Sequence, residues 1–67
     1  MKISGRNKLE GTVKSVVKGN VMAKVVVDYK GTELVAAITI DSVDDLDLKV
    51  GDKVTALVKA TEMMIIK

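Results

Sequence analysis

The stretch Ser4-Gly5-Arg6-Asn7-Lys8-Leu9-Glu10-Gly11 sets a hydroxyl, a glycine-freed backbone, a guanidinium and a carboxamide side by side, immediately before a strand-like run. Arginine carries a permanent charge and five N–H donors in a fixed fork, so this cluster suits an anion better than a cation or an apolar ligand. Two further groups add donors. Thr39-Ile40-Asp41-Ser42 offers two hydroxyls, and Lys59-Ala60-Thr61 offers an ammonium together with the backbone N–H near Ala60. An anion without protons only accepts hydrogen bonds, so its site needs donors on every side and no carboxylate facing in.

Each element also has a plainer reading. Arg6 by itself would be a solvated surface arginine, and Lys59 an edge charge that deters unwanted strand pairing. Ser42 suits a helix cap as well as a ligand contact, and the two roles are compatible. Asn7 fits a residue that fixes the entry into the first strand. Lys18-Gly19-Asn20 offers a backbone concavity for an anion, but a hairpin turn explains it equally. The conjunction of the donor groups carries the anion reading.

Other chemistries fail for want of residues. The chain has no His and no Cys, which removes the usual nucleophile–base pairs, the commonest transition-metal ligands and any disulfide. It is therefore not expected to be an enzyme or to hold a cofactor or a directly ligated metal. Asp44, Asp45 and Asp47 lack the alternating spacing and closing Glu of a calcium loop, and an acidic helix start accounts for them. A biotin- or lipoyl-carrier reading needs a lysine beside methionine at a hairpin tip, and Met63-Met64 has none.

The chain has 67 residues, 48% of them hydrophobic, and Tyr29 is the only aromatic. That length gives one domain, residues 1–67, near the lower limit for a self-sufficient core. A core of Val, Ile, Leu, Ala and Met buries little area per residue. With no disulfide to help, oligomerisation is the remaining source of stability. The net charge of +2 is made of interspersed signs, which favours anions weakly. No signal-peptide pattern opens the chain and no apolar run reaches membrane-spanning length, so a soluble cytoplasmic protein with no membrane partner is expected.

The dominant periodicity is two. Leu9–Val17 alternates with Leu9, Gly11, Val13, Ser15 and Val17 inward. Val21–Tyr29 does so with Val21, Ala23, Val25, Val27 and Tyr29 inward, and Glu33–Ile40 with Leu34, Ala36, Ile38 and Ile40 inward. Lys18-Gly19-Asn20 and Lys30-Gly31-Thr32 supply the turns. Asp41–Leu46 fits a short helix capped by Asp41 or Ser42, and Asp47–Asp52 a loop. Lys53–Ala60 is a fourth strand and Met63–Ile66 a short fifth. The predicted fold is all-β: a five-stranded OB-like Greek-key barrel with one short helix between strands 3 and 4. Val16, Met22, Val26, Val35 and Leu57 fall on its outward face, an apolar set that suggests an interface.

The Ser-x-Arg-Asn-x-x-x-Gly opening, the Ile-Thr-x-x-Ser segment at Ile38–Ser42 and the Lys59-Ala60 pair together resemble the molbindin family. These are small cytoplasmic molybdate-binding proteins whose domain, the TOBE domain, also occurs in molybdate transporter ATPases and molybdate-responsive regulators. The resemblance spans essentially the whole chain, with Gly5 standing where relatives often have alanine. It implies the OB fold and a function in molybdate or tungstate binding for intracellular storage and metal homeostasis. It implies oxyanion-binding residues Ser4, Arg6, Thr39, Ser42, Lys59 and Ala60, and pockets between the subunits of a homo-oligomer, a hexamer as in the relatives. Molybdate fits the donor chemistry, because it is a tetrahedral dianion with no proton at neutral pH. The other function class open to an OB barrel is nucleic-acid binding. It relies on aromatic stacking platforms and basic stripes, and this chain has one tyrosine and no stripe, so no nucleic-acid partner is expected.

Overall fold

A computed structural model describes residues 6–67. Four strands, β1 (Asn7–Lys18), β2 (Met22–Tyr29), β3 (Thr32–Thr39) and β4 (Lys53–Val58), build one antiparallel sheet in the order β3-β2-β1-β4. A seven-residue helix, α1 (Ile40–Leu46), joins β3 to β4. After β4 the chain makes one 3-10 turn, Ala60–Glu62.

The long first strand organises the sheet because it changes partners along its length. Asn7–Thr12 pairs with β4, and Thr12–Lys18 pairs with β2. Between Val13 and Ser15 the register shifts, leaving Lys14 as the extra residue of a bulge, which bends a strand and strengthens its twist. The loop before β4 occupies the backbone there. Val13 donates its N–H to the Asp52 carbonyl and accepts from the Gly51 N–H, both at 2.8 Å. Gly11 stands at the same corner, where a β-carbon would overlap the Asp28 carbonyl oxygen and approach Val27 Cγ1 to 2.7 Å. The end of β2 can cross β1 this closely only over a glycine.

The bulge corrects the predicted facing of the strand beyond it. An unbroken alternation puts Val17 inside and Val16 outside, whereas Val16 packs against the core and Val17 is exposed. Val26, also predicted outward, is buried, while Met22, Val35 and Leu57 are exposed as expected. Val21 lies in the first hairpin turn and is exposed, closed off by the Gly19 N–H bonding to the Met22 carbonyl at 2.8 Å. In the second hairpin Lys30 and Gly31 both have positive φ, at 51° and 85°, the mark of a two-residue turn matched to strand twist.

Thr39, rather than Asp41 or Ser42, is the N-cap of α1: its side chain accepts from the Ser42 N–H. At the other end Asp47, at φ 50°, takes the left-handed conformation that stops a helix. The helix contributes Val43 to a core otherwise made of Val13, Ala23, Val25 and Val27, ringed by Leu34, Ile38, Ile40, Leu48 and Val54. Among the described residues no buried one is larger than valine, so the core is as thin as the composition suggests.

The predicted fifth strand is a correction. Met63–Ile66 has no regular structure, and among the described residues the sheet has four strands rather than five. A strand exists only when its backbone groups find a partner, and in the isolated chain this segment has no pairing in the sheet. Met64, Ile65 and Ile66 are each more than 90% exposed. The fourth strand likewise stops at Val58, two residues short of the predicted end.

Candidate functional site

The β1–β4 ladder runs antiparallel from Thr12↔Lys53 to Asn7↔Val58. Arg6 and Lys59 are the next residues outward on either strand, so the ladder brings these two cations together at one end of the sheet. Both are exposed. The half-buried Asn7 fastens this end: its Nδ2 donates to the Val58 carbonyl at 3.0 Å. Lys59 is extended and caps the 3-10 turn without a side-chain bond, and the Glu62 N–H closes that turn on the Lys59 carbonyl at 2.9 Å. The N–H of Ala60, in the first turn, has no acceptor within the turn itself. A residue bearing a guanidinium, one bearing an ammonium and a backbone N–H therefore lie within the two positions beyond this end of the ladder. Ser4 and Gly5 lie outside the described residues.

Thr39 and Ser42 form a second group. Thr39 Oγ1 accepts the Ser42 N–H at 3.1 Å and donates to Ser42 Oγ at 2.9 Å. With the Thr39 proton committed inside the pair, the Ser42 hydroxyl keeps its own proton to donate outward. The Thr-x-x-Ser spacing is the cap-and-third-residue spacing of a helix start. That signal was present in the sequence and identifies Thr39 as the cap.

The two groups are not neighbours. Thr39 pairs with Met22, and β2 there runs alongside the Lys18 end of β1, since Lys18 pairs with Ala23. Arg6 and Lys59 flank the opposite end, at Asn7. Twelve residues of β1 separate the ends, at about 3.3 Å per residue along a strand. One chain thus presents two half-sets of donors at opposite ends of β1.

The remaining sequence candidates are engaged otherwise. Lys18 in the first hairpin pairs with Asp44 at 3.1 Å, and Asp47 with Lys49 at 3.1 Å. Among the described residues, no three His, Cys, Asp or Glu side chains gather as a metal site. A groove of about 490 Å³ beside Gly11 is lined by Glu10, Asp28, Lys30 and Lys53. Its carboxylates repel a dianion, and none of the predicted site residues lines it. No helix among the described residues is long and apolar enough to cross a membrane.

Residues 3–65 match the TOBE domain. The chain belongs to the TOBE domain family. Its relatives include proteins named for molybdenum or molybdate. Molybdenum-pterin-binding protein 3 of Clostridium pasteurianum is 45% identical over 67 residues, covering 98% of either chain. A molybdate-binding protein from Sporomusa ovata, solved at high resolution, superposes with a TM-score of 0.96 at 82% identity over the full length of both chains. The cytoplasmic molybdate-binding protein ModG, solved with molybdate bound, superposes with a TM-score of 0.87 at 38% identity over 92% of this TOBE domain and 45% of its own chain. The molbindin resemblance read from three short motifs therefore holds along the whole sequence.

Proposed function

We propose that the chain binds molybdate or tungstate, as the intact tetrahedral oxyanion, for intracellular storage and homeostasis in the cytoplasm, in donor-rich pockets between the subunits of a homo-oligomer, a hexamer. The observation that carries this reading is the division of the donors. Arg6, Lys59 and the Ala60 N–H cluster at one end of β1, with Ser4 beside them in sequence, while Thr39 and Ser42 stand at the other. A dianion needs donors all round, and a pocket holding both half-sets takes them from two copies of the chain. The exposed apolar tail, Met63–Ile66, supports association on separate grounds, since an unpaired strand-like segment finds its partner on another sheet edge. The names of the relatives support the choice of oxyanion.

The chemistry fits the ligand. Arg6 and Lys59 supply charge-assisted bonds, which are roughly twice as strong as neutral ones. A pocket without an acceptor disfavours the protonated form of phosphate, and sulfate is left to be rejected by size. Native mass spectrometry with and without molybdate tests the proposal, because it reads subunit number and bound-ion count together. Thermal denaturation adds selectivity: molybdate and tungstate raise the melting temperature by mass action, and sulfate and phosphate do so far less. Equal shifts from all four anions, or a monomer that binds none, refute it.

A further inference from the structure

Asn7 is the polar exception on the inward face of β1, whose other positions before the bulge are Leu9, Gly11 and Val13. Its amide bonds the Val58 carbonyl across 51 residues of sequence. The other side chain–backbone bonds among the described residues, Ser42 to Thr39 and Lys49 to Asp52, are local and span three residues each. The Asn7 bond alone of these stitches two separate strands, and it does so at the last rung before Arg6 and Lys59.

That location gives the bond a task. Strand ends fray, and like charges facing each other across two strands push them apart. The next residues outward on the two strands, Arg6 and Lys59, are both cations. We infer that Asn7 is a positioning residue: by clamping Val58 it holds Arg6 and Lys59 in register before the anion arrives. The inference rests on the reading of Arg6 as an oxyanion donor. Preorganisation lowers the ordering cost of binding, so the clamp acts on affinity through Arg6 and Lys59 and touches no ligand itself.

A double-mutant cycle on the full-length chain, with molybdate titrated calorimetrically, tests the inference. Asn7→Ala weakens binding about tenfold, on the scale of one lost hydrogen bond, and has a smaller effect in an Arg6→Ala background, where only Lys59 is left to position, the signature of coupled residues. Asn7→Gln, which keeps an amide donor, recovers part of the loss and serves as the readout should the alanine variant fold poorly. Val54→Ala, opposite Gly11 in the same ladder, lowers stability without moving the affinity. Wild-type affinity in Asn7→Ala, a glutamine variant no better than alanine, or equal losses in both backgrounds overturns the positioning role while leaving the oxyanion reading intact. Wild-type affinity in Arg6→Ala overturns that reading itself, and the positioning role with it.

Discussion

Gly11 passes so close to Asp28 that a β-carbon on it would overlap the Asp28 carbonyl oxygen, with Val27 Cγ1 only 2.7 Å away. The obstacle is backbone of the neighbouring strand, which cannot rotate aside as a side chain does. Gly11→Ala is therefore expected to destabilise the fold by about 1–3 kcal/mol, the usual range for overpacking, even though alanine suits a strand better than glycine in isolation. Urea denaturation checks this. An unchanged midpoint would mean that β1 and β2 can separate at the corner without cost.

Lys14, the bulged residue, reaches the carboxylate of Glu33 at the start of β3. The hydrogen bond from Lys14, reinforced by its charge, holds the Glu33 carboxyl below its ordinary value of 4.5, and the same bond raises Lys14 above 10.5. A depressed carboxyl stabilises the fold above its unfolded value, and that contribution fades as pH falls through the folded one. A raised lysine contributes below its unfolded value and loses the contribution as pH rises through the folded one. The pair is thus constant across neutral pH and declines below about pH 4.5 and above about pH 10.5. Because both side chains are more than half exposed, the effect is small. Glu33→Gln should leave neutral stability nearly unchanged and flatten the acid limb of the melting temperature against pH. An acid limb as steep as the wild type's would show that the pair contributes nothing.

The tail gives a third expectation. Met64, Ile65 and Ile66 are left in water by a single chain, although burying one such side chain contributes about 1.5–3 kcal/mol. Deleting residues 63–67 should shift the protein to smaller species in sedimentation velocity and lower its melting temperature. A truncated chain that sediments like the full one would place the subunit contacts elsewhere, on the exposed face that carries Met22, Val35 and Leu57.

Much of this was legible in the sequence, and the misses share a cause. The first three strands, both hairpins and the inward faces of β3 and β4 follow from period-two alternation, which is a local property. The bulge at Lys14 sits where Val13 bonds Gly51 and Asp52 of a distant loop, so it leaves no trace in the alternation, which puts Val16 and Val17 on each other's faces. The fifth strand failed differently. Met63–Ile66 has the residues of a strand, but pairing depends on a partner that one chain does not supply. For the candidate site, residue types announced the donors while topology divided them. Neither spacing nor composition could say that Thr39 and Lys59 lie at opposite ends of β1.

The Thr39–Ser42 pair separates a structural hydroxyl from an outward-facing one, which yields the last prediction. Thr39 accepts the Ser42 N–H at 3.1 Å and spends its own proton on Ser42 Oγ at 2.9 Å. Thr39→Val removes the helix cap and should cost about 1 kcal/mol of stability, the typical loss for a cap, with weaker oxyanion binding following only from the disturbed Ser42. Ser42→Ala keeps the Thr39 cap on the backbone N–H, so stability should hardly change, yet it deletes the one hydroxyl proton of the pair that is free to reach a ligand. Molybdate affinity should then fall by about 0.5–3 kcal/mol, the span of single hydrogen-bond losses from neutral to charged partners. Chemical denaturation and calorimetric titration of the two variants give the contrast directly. If Ser42→Ala binds molybdate as the wild type does while Thr39→Val binds it poorly, the threonine is the ligand and the proton runs the other way along the pair.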